Sequence, residues 1–252
     1  MRAHLKFSSK NNIILPIHHN HILQGFIYNS FADETFADFL HEEGYKWKKR
    51  NFKLFTFSRL NGKLDMDKEN EIIIFKSPVT LTISSIKKKI IEDLITNIIK
   101  SEKLRLGRQE IFLEEVKMED HSFEEKAAYI INFLSPVTAY KTEVVNGKKK
   151  THYFKPWDEE FQEQLENNLK KKYEIVEGEK INKNNFKISP RFSKQKDFTI
   201  LLFRGFVIKG WTGHFLIRGN PELLKMGYDC GLGAKNSMGF GCFEIVDKVE
   251  GG

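Results

Sequence analysis

Along the first half of the chain, the spacing of apolar residues switches repeatedly between a period of two and a helical period. That order restricts the fold more than any single motif does. Polar and apolar residues alternate over Ala3–Phe7, which predicts a strand. Ile22, Leu23, Phe26, Ile27 and Phe31 fall on one arc of a helix. A short second helix is expected over Glu34–Glu42, with Phe36, Phe39 and Leu40 inward and Gly44 closing it. Lys53–Phe57 reads as a strand, and Asn61-Gly62 as a hairpin turn leading into a strand over Glu71–Lys76. Ser84–Lys100 carries Ile86, Ile90, Leu94 and Ile98 at helical spacing, and Ile111–Met118 returns to alternation. The series β-α-β-β-α-β is the ferredoxin-like order, in which two helices cover one face of a four-stranded antiparallel sheet.

The polar stretch Glu119–Lys126 is the expected boundary between a domain over 1–120 and a second over 125–252. Beyond it, Ala127–Leu134 reads as a buried strand, and Asn146-Gly147 as the turn between Thr138–Val145 and Lys148–Phe154. Pro156-Trp157-Asp158 opens a helix to about Lys172. Strands are expected at Phe186–Ser189, Phe198–Lys209 and Trp211–Ile217, then a helix capped by Asn220-Pro221, then a strand over Cys242–Val246. The second half is a looser version of the first. The expectation is an α+β chain of tandem ferredoxin-like domains with antiparallel sheets and a C-terminal glycine-rich loop.

Composition removes several classes. No apolar run approaches the roughly 20 residues that span a bilayer, and MRAHLKF lacks the apolar region of a secretory signal. A cytoplasmic protein is expected, with no membrane partner. Cys230 and Cys242 form neither a CxxC pair nor a zinc spacing with histidine, and read as buried thiols. The formal charge of +7 is modest, but its distribution is not even. From Gly44 to Lys63 there are seven Lys or Arg residues and no acid, and from Lys180 to Asn220 nine against Asp197 alone. Two basic zones flank an acidic one over Glu110–Glu125, a pattern suited to a phosphate backbone and equally to solvated lysine-rich loops.

The strongest local signal is Gly231-Leu-Gly233-Ala-Lys-Asn-Ser-Met-Gly239-Phe-Gly241. Glycine lets backbone approach a bulky ligand, and successive N–H groups can form an anion nest. The spacing fits neither a Walker A loop nor a dinucleotide fingerprint, so no nucleotide cofactor is indicated. An ordinary glycine-rich loop between helix and strand is the equal alternative.

The run LLKMGYDCGLGAKNSMGFG resembles the C-terminal signature of the CRISPR-associated endoribonucleases that cut repeat RNA, members of a superfamily built on ferredoxin-like domains. LQGFIYN, FLHEEG, KLFTFS and LSPVTAY agree with the same pattern, in order, over nearly the whole chain. The resemblance implies metal-independent cleavage, with no cofactor. A general base takes the proton of a ribose 2′-hydroxyl, that oxygen attacks the adjacent phosphorus, and a 2′,3′-cyclic phosphate and a 5′-hydroxyl result. The family's catalytic tyrosine, histidine and lysine fall on Tyr28, His41 and Lys53.

Elementary chemistry is compatible with these roles. An imidazole titrates near neutrality and suits a base. An ammonium can stabilise charge growing on phosphorus. Tyr28 lies off the apolar arc of its helix, free to orient the attacking hydroxyl or to donate a proton to the leaving oxygen. Each also has a plain structural reading: a half-buried tyrosine, a histidine at a helix C-terminus, one more solvated lysine. His18, His19 and His21 crowd before the first helix, but lack the further ligands that a metal site needs. Lys187, Arg191, Lys194, Arg204 and Arg218 are expected to line an RNA path, together with Gly231, Gly233, Lys235, Asn236, Ser237, Gly239 and Gly241. Phe192 is a candidate for stacking on a base.

The partners implied are CRISPR repeat RNA and an interference complex that receives the product; dimerisation stays open. The competing reading is a non-catalytic guide-RNA-binding subunit of a CRISPR effector assembly. It would not need Tyr28, His41 and Lys53 as a set. A ferredoxin-like metabolic or regulatory domain is weakened by the basic zones.

Overall fold

In the computed structural model, which describes residues 1–182, 185–191 and 197–249, two sheets are built to one plan. The first runs from Phe55–Phe57 through Val79–Ser85 and Arg2–Ser8 to Gln109–Glu119, with Leu104–Leu106 beyond it. Every neighbour is antiparallel. Three helices belong to this unit: α1 (Asn20–Asn29), α2 (Glu34–Asp38) and α3 (Lys88–Lys100). The second sheet runs from Lys187–Pro190 through Phe206–Arg218 and Ala128–Val137 to Phe243–Val249, again antiparallel throughout. Its crossovers are α4 (Glu159–Glu177) and α5 (Pro221–Cys230). Taken in chain order, both sheets place their main strands second, third, first, fourth, so the chain is an α+β tandem of ferredoxin-like folds.

The longer helices form on buried stripes, and α5 adds a side-chain cap. On α3, Ile90, Ile91, Leu94, Ile95 and Ile98 are buried on one stripe, each contributing roughly 1.5–3 kcal/mol relative to exposure. On α5, Pro221 occupies the first turn and the Asn220 side chain accepts the Glu222 N–H at 2.8 Å. The stripe of α4 reads Phe161, Leu165, Leu169 and Tyr173, with one lysine, Lys172, buried beside them. No helix among the described residues is long and apolar enough to cross a membrane.

Three local expectations are corrected. Glu71–Lys76 does not supply the third strand of the first sheet. Ile72–Phe75 pairs instead with Ile13–Pro16 and Leu64–Asp67 in a separate three-stranded sheet. The third strand is Val79–Ser85, and Asn61 bridges Thr80 rather than turning a tight hairpin. In the second unit, Phe198–Lys209 is not one strand. The chain reverses at Arg204-Gly205, both at positive φ (47° and 84°), and Phe206–Arg218 continues unbroken through Gly210. The short second helix ends as a π turn over Phe39–Glu43. The two cysteines are free and buried.

The units are joined through buried polar groups. Arg2 is 1% exposed, donates to Phe243 O and Tyr228 O at 2.8 Å each, and lies 3.6 Å over the Tyr228 ring. Beside it, Ser84 Oγ donates to Tyr228 O at 3.0 Å.

Candidate active site

Tyr28 stands on the last turn of α1, and its ring is half-buried against Phe31 and Phe55. It is therefore less free of the core than its place off the apolar arc suggests. Burial pushes its phenol well above the ordinary range, which keeps the hydroxyl protonated as a donor. The π turn after α2 brings His41 against it, ring centroids 5.0 Å apart and nearly perpendicular. Gly44 then reverses the chain at φ +66; a Cβ there would stand 2.7 Å from Phe52 O and 2.8 Å from Lys53 Cδ. Glycine thus lets Phe52-Lys53 pass across the helix end, and Lys53 Nζ donates to His41 O at 2.7 Å.

Phenol, imidazole and ammonium are therefore gathered from three separate segments. His41 Nδ1 lies 2.6 Å from Glu42 Oε1. A carboxylate on Nδ1 favours the tautomer with its proton there, which leaves the Nε2 lone pair open as an acceptor. Burial lowers the Lys53 ammonium from its usual range, opposed by the charges of Glu42 and Glu43. With one N–H spent on His41 O, two donors remain.

Lys53 also lines a cleft of about 800 Å³ between the two units. Arg50, Lys141, Lys171, Lys172 and Lys235 line it too, with the amides of Gln164, Asn167 and Asn168, and no carboxylate is among its lining residues. Gly233, Asn236 and Ser237 form part of its wall. The segment from Gly231 to Gly241 joins α5 to the last strand and is held by both units. Asn20 Nδ2 donates to Met238 O and Gly239 O, Gln24 Nε2 to Ser237 O, and Thr56 Oγ1 to Phe240 O. Within the segment, Asn236 Nδ2 donates to Leu232 O and Phe240 O, and its Oδ1 accepts from Lys172 Nζ at 2.7 Å. Burial lowers Lys172 to about 8, yet Gly231 O at 2.6 Å also accepts from it. At Gly241, a Cβ would stand 2.0 Å from Leu232 O.

In this construction much of the segment's backbone is already bonded within the protein. The N–H groups of Leu232, Ala234, Met238, Gly239, Gly241 and Cys242 are all committed within the protein. Of the segment's cleft-lining residues, Gly233 and Lys235–Ser237 are the ones outside this set. Lys187, Arg191, Arg204 and Arg218 do not line the cleft: Lys187 and Arg218 are strand neighbours, and Arg204 is at a hairpin tip. Lys194 and Phe192 lie outside the described residues. The early histidines diverge: His19 Nδ1 lies 3.0 Å from Pro16 O with its ring against Phe75, while His21 faces Phe203. Among the described residues, no group of three or more His, Cys, Asp or Glu could hold a metal. Sequence reasoning missed Glu42, Arg50, Lys141 and Lys171. Glu42 stood in the FLHEEG run and Arg50 in the basic zone from Gly44 to Lys63, while a lysine-rich polar face on α4 was the signal for the last.

A family model described as CRISPR-associated protein Cas6, N-terminal, matches residues 14–117, and one described as CRISPR associated protein Cas6, C-terminal, matches 116–245. The chain belongs to the Cas6 family. A Methanocaldococcus jannaschii relative named CRISPR-associated endoribonuclease Cas6 1 is 31% identical, over 99% of this chain and 93% of the relative. A solved structure of a CRISPR associated protein Cas6 superimposes with a TM-score of 0.79 at 30% identity, covering 98% of this chain and 99% of that one. A structure described as an RAMP protein binding different RNA substrates gives 0.81 at 25% identity, covering 98% and 100%. The Cas6 pattern thus extends over both ferredoxin-like units and the segment between α5 and the last strand.

Proposed function

We propose that this Cas6 chain is an endoribonuclease that cuts CRISPR precursor repeat RNA without a metal. The observation that carries the reading is the convergence of Tyr28, His41 and Lys53, with Lys53 also lining a basic cleft that has no carboxylate among its lining residues. Such a cleft attracts a polyanion and neutralises several phosphates, which makes affinity fall with salt.

In the proposed reaction His41 Nε2 takes the proton of a ribose 2′-hydroxyl. The O2′–P bond forms, negative charge grows on the nonbridging oxygens, and Lys53 stabilises it. Tyr28, kept protonated by burial, donates a hydrogen bond to the reacting group. The P–O5′ bond then breaks and the departing oxygen takes a proton from Lys53, whose burial eases that transfer. The products are a 2′,3′-cyclic phosphate and a 5′-hydroxyl. The relatives' endoribonuclease name supports the same reaction class.

A second reading, a guide-RNA-holding subunit without catalysis, would use the cleft alone. The two separate in one assay: repeat RNA incubated with the protein in excess EDTA. The catalytic reading predicts cleavage at an undiminished rate, with a product 3′ end that resists periodate until the cyclic phosphate is removed. Binding without cleavage would favour the second reading, and cleavage abolished by EDTA would contradict the metal-independent mechanism.

A further inference from the structure

Away from the three proposed catalytic side chains, the second unit carries an aromatic pocket that the cleavage chemistry does not use. Its volume is about 410 Å³, and it is lined by Tyr153, Lys155, Trp157, Phe198, Lys209 and Trp211. Trp157 and Phe198 are each 40% exposed. The Trp157 ring meets Trp211 at 4.9 Å and 74°, and Phe198 meets Trp211 at 5.1 Å. Phe198 and Trp211 are cross-strand neighbours, as are Ile200 and Lys209, so one face of the hairpin presents rings and a cation together. Lys155 and Lys209 are exposed, and no carboxylate lines the pocket. The nearby Asp158 carboxylate is turned to the Lys155 N–H, 2.7 Å away.

Exposed rings beside cations, without acids, match the needs of unpaired nucleic acid. Bases stack on the rings while ammonium groups meet the phosphates. The pocket and the cleft share no lining residue, but a pair of tyrosines adjoins the two. Tyr140 lines the cleft under Lys235 Nζ, 5.2 Å from its ring centroid, and its ring packs 5.6 Å from Tyr153, which lines the pocket. A strand that leaves the cleft over Lys235 and follows these two rings meets the pocket of Trp157 and Phe198.

We infer that the Trp157–Phe198–Trp211 pocket is a second RNA subsite that stacks an unpaired base of the strand running out of the cleft. This rests on the RNA-binding part of the function proposed above, and not on cleavage. The test uses an oligouridylate of about 12 nucleotides, within the span of single-strand sites. Its binding is followed by tryptophan emission and by photocrosslinking of a 5-bromouridine version. The expected results are quenching that shrinks in Trp157→Phe, affinity about tenfold weaker in Trp157→Ala and in Phe198→Ala, and crosslinks on 153–157 or 198–211. Thermal melting of each variant separates lost stacking from lost fold, and Phe198→Tyr, which keeps a ring, should restore binding.

Affinity within about twofold of the parent in both alanine variants, with crosslinks elsewhere, would overturn the inference. So would absence of binding, or a dimer dissolved by Trp157→Ala while RNA affinity holds, which would give the pocket to a second copy of the chain. If repeat RNA is not cut but the oligouridylate binds through Trp157, the cleavage reading falls and this inference stands.

Discussion

Replacing His41 by alanine is expected to slow single-turnover cleavage of repeat RNA by about 10²–10⁴-fold, the usual range for loss of a positioned general base. The imidazole is 47% exposed on its side chain, so its removal opens no cavity. Its edge contact with Tyr28 contributes at most about 1 kcal/mol of stability. The Lys53 bond goes to the His41 backbone oxygen and persists in the variant, as does the basic cleft. RNA affinity is accordingly expected to stay close to the parent's. Rapid-quench kinetics at saturating enzyme, beside a filter-binding isotherm, read both quantities. A slowing of less than about tenfold would remove His41 from the role of base.

The second large effect concerns assembly of the two units and has nothing to do with chemistry. Arg2→Ala is expected to lower unfolding free energy by about 3–5 kcal/mol. The buried Phe243 O loses its guanidinium donor, at about 1–3 kcal/mol, and Tyr228 O is left with Ser84 Oγ alone. A desolvated cation–π contact on Tyr228 worth about 2 kcal/mol goes as well, and local relaxation recovers part of the sum. In a chain of this size the melting temperature should fall on the order of 10 °C. Arg2→Met, which refills the space with apolar volume, should lose less than the alanine variant. Chemical or thermal denaturation checks this, and a loss below about 1 kcal/mol would mean that Arg2 does not hold the units together.

Much of this architecture was legible because its strongest elements are amphipathic on their own. The isoleucines of α3 carry its existence and its end, though the helix starts at Lys88 rather than Ser84, and Asn220-Pro221 carries the start of α5. Val79–Ser85 does not. Its Thr82, Ser84 and Ser85 are buried polar residues, tolerable because Ser84 bonds Tyr228 O and Ser85 bonds Leu54 O at 2.7 Å. Those partners come from distant segments, so an alternation rule passes the strand over and prefers Ile72–Phe75, which is more apolar but peripheral. The Arg204-Gly205 turn was hidden in the same way, since arginine is not a residue that favours positive φ.

In the site, Tyr28, His41 and Lys53 were readable only as members of matching motifs. What the sequence did not carry was the crossing at Gly44 that brings Lys53 to the His41 carbonyl, or the Glu42 carboxylate that orients the imidazole. The glycine-rich segment shows the converse. Its composition suggested exposed N–H groups, but most of them bond within the segment or to the second unit, while side chains of the first unit donate to its carbonyls.

The most direct test of the mechanism is to place one 2′-deoxyribose at the cut nucleotide of the repeat RNA, leaving all other positions unchanged. Attack by the 2′-oxygen predicts normal binding and no cleavage at that junction, however long the incubation. Cleavage there at a rate comparable to the all-ribose substrate would contradict it, because the proton His41 is proposed to remove would not exist.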